Sequence, residues 1–502
     1  DELESILLAV GALAGNVANL DFNDFQLDQI GEIDVEDINT IFESRIMIAS
    51  LTKQIEELDL GEYSLIIPDS VYDEDGYILK TEFQNIIEGI HTLASQLTCD
   101  DGDEECAAAG FDLNKISLLE ESHIDTIVLS EILVATIGNI VVDLGEEALT
   151  IPSNALENIF VDGISTLTIS KTELKNTLLA ISALGITDFQ NMEMTTELFS
   201  NLKDESTSQL DSTKANTILD SNIIHATISK YLIDFSEGAE AVLIVPYLSE
   251  SEVSLRYMDP HSTIEFVEKD EIINLLAAVV AIDIQDFENI DNLDLGLIAE
   301  NGDIITDSSI LQATISDQLL DLDTDGTINI PEYAYDGTTL IKKTVGTAPN
   351  QTQYITKAEL MSAFDALAAL NITDAENFDG NIDISLLADD TDRLTVLSSA
   401  IIQTTISEII LDLETDEILN VPYVPADYDS QNPIFIRKTV GTVEYISVSE
   451  LDAIIRALNI LNITDIETFD GDIDLSVLAV GDNGERVLES SVIHATVSDQ
   501  II

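Results

Sequence analysis

Tryptophan is missing from this sequence and Phe and Tyr are few, with aromatics at only 5% of the chain. An interior drawn from its 45% apolar residues therefore has to be filled by Ile, Leu, Val and Ala. Basic residues are equally scarce: 19 Lys and Arg stand against 96 Asp and Glu, for a formal charge of −77. The acidity is spread along the chain rather than gathered in a tail, which argues against nucleic acid or an anionic membrane surface as partner. It leaves three settings for the carboxylates: a solvated surface, a high-salt medium, or divalent cations that neutralise them. Long hydrophobic runs are lacking too. The longest, Ile6 to Ala14 and Ile272 to Ile284, fall short of the roughly 20 residues a bilayer requires, so we expect no membrane span and no signal peptide in this segment. Because the chain opens on Asp1 and stops just after a recurring phrase, we expect a mature or excised piece of something longer.

Catalytic signatures are also scarce. No phosphate-cradling glycine loop or nucleophile elbow occurs. Of the five histidines, His91, His123 and His261 have no neighbouring metal-ligand pattern. His225 and His494 share one phase of a repeat in which Ile48, Val134, Gln312 and Gln403 also stand, so that position reads as a tolerant helix face. Carboxylate pairs abound, but none is singled out as acid and base; the expectation is that this segment is not an enzyme. The two cysteines, Cys99 and Cys106, enclose an acidic insertion. They read either as a local disulfide, implying an oxidising compartment, or as two free thiols.

What is abundant is repetition. A Ser, a run of branched aliphatics and a small-residue pair recur, as in Ser308 to Ser316, and the aligned copies fall at Ser50, Thr136, Thr227, Thr314, Thr405 and Thr496. The period of about 90 residues predicts a tandem array. We divide it into blocks 1–78, 79–169, 170–267, 268–355 and 356–446, with a partial sixth at 447–502. No Pro/Gly/Ser-rich linker separates them, so they are expected to join stiffly.

Each block opens with a Glu before an apolar residue, as in Glu82-Phe83, Glu173-Leu174, Glu271-Ile272, Glu359-Leu360 and Glu450-Leu451. Ser170, Thr356 and Ser447 stand three places earlier, the capping-box spacing, which predicts a helix start. In the fifth block Leu360, Phe364, Leu367 and Leu370 form one stripe that stops near Asn371. An acidic loop follows: Asp286, Glu288 and Asp291; then Asp374, Glu376 and Asp379, reaching Asp383; then Asp465, Glu467 and Asp470, reaching Asp474. The recurring phrase is a second helix, whose Ser, Ala and Thr would let a neighbouring backbone approach closely. After it comes an alternating segment ending at Pro68, Pro152, Pro246, Pro331 or Pro422, which reads as a short edge strand. A hairpin closes the block, Leu340 to Val345 with Tyr354-Ile355 and Ile434 to Val440 with Glu444 to Ile446. The fold class expected is α+β, an elongated rod of about six helix-loop-helix-strand-hairpin modules. Lys342, Lys343, Arg437 and Lys438 cluster on the hairpins, either solvated or meeting acidic residues of an adjacent block.

The sharpest local motif is Asp321-Leu-Asp323-Thr-Asp325-Gly326-Thr327-Ile328-Asn329-Ile330-Pro331-Glu332. It resembles the twelve-position calcium loop of the EF-hand family, with carboxylates at one, three and five, Gly at six and Glu at twelve. The resemblance implies Ca²⁺ held by the side chains of Asp321, Asp323, Asp325 and Glu332 and the backbone of Thr327. It covers only these twelve residues and the helix entering them, because Pro331 and the turn-like Tyr333 to Gly337 replace the family's exiting helix. The fifth block keeps Asp412, Glu414 and Asp416 but has Glu417 for Gly and Tyr423 for the last Glu; a second partial match, Asp73, Asp75, Gly76, Ile78 and Glu82, has Val71 in the first ligand position.

In architecture the chain looks like the long surface repeat proteins of bacteria, adhesin stalks or sheath components. That resemblance implies a non-enzymatic, extracellular or cell-surface structural protein. Its expected partners are Ca²⁺ and either further copies of itself, as a filament subunit, or a surface partner met by its acidic face.

Overall fold

A computed structural model describes residues 2–16, 35–57, 59–60, 63–97, 113–144, 149–186, 201–204, 206–237, 242–260, 263–282, 295–372, 382–425, 435–464, 466, 469 and 473–501. The protein is a mixed, helix-rich α+β fold in which antiparallel two-stranded pairs alternate with helices. Among the described residues no single helix is long and apolar enough to cross a membrane. By packing, the chain divides into two compact units, one of Asp1–Leu232 with Tyr257–Lys269, the other of Ile233–Arg256 with Asp270–Ile502.

In the first unit the block-opening helices are Lys80–Gln96, which has no side-chain cap at Leu79, and Lys171–Leu184, capped by Ser170; the phrase helices are Arg45–Glu56, Glu131–Leu144 and Asn222–Phe235, the last running on beyond the unit's edge. In the second unit the capped helices are Lys357–Ala369 and Val448–Ile460, and the phrase helices Ser309–Asp325, Ala400–Thr415 and Ser491–Ile501. As the composition requires, buried positions are overwhelmingly Ile, Leu, Val and Ala, with Tyr354, Tyr445, Phe83 and Phe364 the largest side chains fully enclosed.

The capped helices start as the sequence predicts. Ser170, Thr356 and Ser447 accept from the amides of Glu173, Glu359 and Glu450, relieving one free donor of the first turn. The glutamates do not complete a capping box. Each turns inward instead, to the start of the phrase helix that follows. Glu82 and Glu173 accept from the hydroxyls of Ser130 and Ser221 in the first unit, and Glu271, Glu359 and Glu450 from Ser308, Ser399 and Ser490 in the second, all at 2.6–2.9 Å. The same carboxylates accept from the amides of Ile132, Ile223, Ile310, Ile401 and Val492 at 2.9–3.1 Å. Each Ser oxygen in turn receives the amide three residues on. A carboxylate at the positive end of a helix dipole, with its lone pairs engaged, is the arrangement in which a buried acid can be accommodated.

The end of the capped helix has an equally local cause. Gly185, Asn371 and Asn462 take left-handed backbone, with φ of 66°, 53° and 58°. The next amide closes a six-to-one bond onto Ile181, Leu367 or Leu458, the Schellman geometry that Gly and Asn favour.

The segment ending at proline belongs to no β-ladder, contrary to the edge strand expected from its alternation. Its amide is taken by a side chain. Thr136 accepts from Ile66 and Thr227 from Thr150 in the first unit; Thr314 accepts from Ile244, Thr405 from Asn329 and Thr496 from Asn420 in the second, all at 2.9–3.0 Å. These are the alignment residues of the recurring phrase, and every partner lies 70 to 77 residues earlier. Each Thr hydroxyl also donates to the carbonyl four residues back, so the same oxygen is both donor within its helix and acceptor from the distant segment.

The hairpin's return strand rests on the phrase helix through another hydroxyl. Ile78 donates to Thr52 and Val267 to Ser229 in the first unit, Ile355 to Ser316 and Ile446 to Ser407 in the second, at 3.0–3.2 Å. The hairpins Lys342–Val345 with Thr352–Ile355 and Arg437–Val440 with Val443–Ile446 lie within three residues of their predicted bounds.

Candidate functional site

The calcium-loop residues sit in the second unit at the end of a helix. Ser309–Asp325 remains helical through all three aspartates. Residues two apart on a helix point to different sides, so Asp323 faces away from Asp321 and Asp325. Its carboxylate is committed elsewhere, accepting from the Ile330 amide at 2.8 Å and lying 3.4 Å from the Lys342 ammonium. Gly326, which the EF-hand pattern reads as position six, is the left-handed C-terminal residue of the helix, with φ 79°. Thr327 donates its amide back to Leu322, and Glu332 is exposed beyond Pro331, its carbonyl accepting from Ile341. The fifth block ends its helix identically, with Glu417 at φ 63° in place of glycine. One turn before Asp321, the Asp317 carboxyl is pushed above its usual range by burial and by the Asp321 charge.

The partial match in the first unit is a tight turn. Asp73 accepts from the amides of Asp75 and Tyr77, Gly76 is left-handed, and Glu82 belongs to the Ser130 contact described above. No cluster of three or more His, Cys, Asp or Glu side chains arranged to hold a metal occurs among the described residues. The acidic loops at 286–291 and 374–379, Asp465, Glu467 and Asp470, the pair Cys99 and Cys106, and His261 lie outside the described residues. Asp383 and Asp474 are helix caps, accepting from Ser385 and Ser476; those hydrogen bonds hold the Asp474 carboxyl below its usual range.

The hairpin cations of the second unit are engaged in two directions. Lys342 and Arg437 turn back to the end of their own block's phrase helix, at Asp323 and Glu414, and Arg437 also covers the Tyr423 ring at 3.9 Å. Lys343 and Lys438 reach the post-proline segment of the preceding block. Lys343 meets the Glu250 carbonyl and the Glu252 carboxylate at 3.0 Å, and Lys438 the carbonyls of Tyr335 and Asp336.

Sequence reasoning misjudged the phase shared by His225, Gln312 and Gln403. All three are buried, and all three place a nitrogen on the last carbonyl of the return strand, His225 on Val267, Gln312 on Ile355 and Gln403 on Ile446, at 2.8–3.2 Å. The signal was present: two of the residue types carry an N–H donor of similar reach, and a tolerant face would not select for that.

No family model, curated protein or solved structure matches the chain.

Proposed function

We propose that this chain is a non-enzymatic structural protein of an extracellular or cell-surface setting, an array of about six α+β modules of roughly 90 residues forming a stiff rod. The observation that carries this reading is the Thr hydroxyl of each phrase helix holding the proline-terminated segment of the block before it. A contact repeated at every junction, with no flexible spacer, ties neighbours together along the chain instead of closing a catalytic cleft. The test is small-angle scattering of the purified protein. A compact globule of this length would have a radius of gyration of about 23 Å; the rod predicts at least roughly twice that. A value near that of the globule, with a bell-shaped distance distribution, removes the proposal.

Calcium is the second part of the reading, and it rests on the residue pattern at Asp321 to Glu332. Binding there requires the last helical turn to open and Asp323 to leave Ile330 and Lys342. We expect millimolar calcium to raise the melting temperature relative to chelator, by the linkage that gives about 2.7 kcal/mol at a hundredfold excess over Kd, and Asp321→Asn with Asp325→Asn to remove the rise. Identical melting in chelator and calcium discards the cation and leaves the structural reading standing.

A further inference from the structure

In three of four described return strands the residue before the last position is aromatic, Phe266, Tyr354 and Tyr445, and Tyr77 stands likewise before the isolated bridge residue Ile78. In the remaining strand it is Thr168. Equivalence here is structural, because the following residue, Ile78, Val267, Ile355 or Ile446, donates to the same hydroxyl position of the phrase helix. In the second block that position is Gly138, and a Cβ there would lie 3.3 Å from the Ile169 amide.

The rings have a defined seat. Tyr354 packs with Ala313 and Val345 and against Ile244 and Leu248, and its hydroxyl donates to the Leu248 carbonyl at 2.6 Å. Tyr445 donates likewise to the carbonyl of Tyr333. Both acceptors lie two residues after a proline, Pro246 and Pro331. Where Thr168 stands, the first unit has a cavity of about 180 Å³. Two of its walls are the counterparts of the Tyr354 seat, Ala135 for Ala313 and Ile159 for Val345, and Pro68 and Ser70 of the post-proline turn line a third side. Pro68, Val134, Ala135 and Thr168 form a buried floor, and Glu131, Glu157 and Lys171 an exposed rim. An apolar cavity of about 150 Å³ is enough to take up benzene.

We propose that this cavity is a binding site for a phenol the size of a tyrosine side chain, its ring between Ala135 and Ile159 and its hydroxyl toward the post-proline turn at Ser70. The site is the ring seat of the other blocks, left open by Thr168. Two carboxylates and one ammonium at the rim favour a phenol whose substituent is neutral or cationic over one whose substituent is anionic.

The probe is p-cresol added to the full chain. We expect saturable binding in the millimolar range by titration calorimetry, with nuclear Overhauser contacts from the ring protons to the methyl groups of Val134 and Ala135. Tyramine should bind more tightly than 4-hydroxyphenylacetate. Thr168→Ser, which leaves the seat open, should retain binding, whereas Thr168→Tyr, which supplies the ring from the chain itself, should weaken it by at least about tenfold. Absence of saturable binding to the wild-type protein overturns the proposal, as does unchanged affinity in a folded Thr168→Tyr protein. Should that variant fail to fold, missing contacts to Val134 and Ala135 in the wild type overturn it equally.

Discussion

Glu359→Ala is expected to cost about 3–5 kcal/mol of unfolding free energy in the second unit, because it strands several donors at once. The Ser399 hydroxyl and the Ile401 amide both point at this carboxylate, and all three residues are buried. With Ala in its place the helix Ala400–Thr415 begins inside the protein with unsatisfied amides and no compensating charge. Glu359→Gln keeps an acceptor oxygen in the same place and should cost far less, under about 1.5 kcal/mol. Urea unfolding measures both, with the midpoint moving and the slope fixed. If the alanine variant loses no more than the glutamine one, the carboxylate is not what holds the two helices together.

The pair also carries a pH signature. Burial pushes the Glu359 carboxyl above its ordinary 4.5, against the opposing effect of its hydrogen bonds to Ile401 and Ser399, and burial does the same at Glu82 and Glu271. A carboxyl that holds its proton more tightly when folded favours the folded state in acid. That contribution is complete below the unfolded value and is lost as pH rises through the folded one. The wild-type protein should therefore gain on Glu359→Gln as pH falls across that window.

His225→Gln should do the reverse in the first unit. The imidazole is enclosed, with Nε2 on the Val267 carbonyl at 2.8 Å, and burial lowers its pKa from 6.5 to about 4, with the Lys269 charge adding a little in the same direction. Below about pH 6.5 the unfolded chain takes up a proton that the folded one refuses until about 4. Stability is therefore lost as pH falls through that interval, by roughly 3 kcal/mol in total. Glutamine already serves this position at Gln312 and Gln403, donating to Ile355 and Ile446 at 3.1 and 3.2 Å. The variant should keep the bond and lose the titration. Wild type and His225→Gln are expected to unfold alike above neutrality and to separate by about 2–3 kcal/mol near pH 4.5. Parallel stability curves down to that pH would refute a neutral, buried His225.

The features legible in the sequence were those whose cause is local. Ser170, Thr356 and Ser447 cap helices because a hydroxyl three residues before Glu173, Glu359 and Glu450 reaches the free amide there. The helix stop near Asn371 and the two later hairpins follow from backbone preference and alternation in the same way. What misled were patterns whose meaning depends on a distant partner. The glutamates look like capping-box residues, but their partners lie 37 to 50 positions on, at the start of the next phrase helix. The proline-terminated segments alternate like strands, yet a threonine hydroxyl 70 or more residues ahead takes the amide. At Asp321 to Gly326 two motifs overlap: a helix ending in glycine and a calcium loop share the same letters. In this structure the backbone there is the continuing helix, with Asp323 beside Lys342.

The threonine contacts also dictate where the protein can be cut. The sequence period invites dissection at residue 268, but a fragment starting there leaves behind Ile244 and Leu248, on which Thr314 and the Tyr354 hydroxyl depend. A recombinant piece begun near Ile233 carries that strip with it, but it also takes Tyr257–Lys269, whose Val267 amide rests on Ser229, so no single cut near the period leaves both sets of contacts whole.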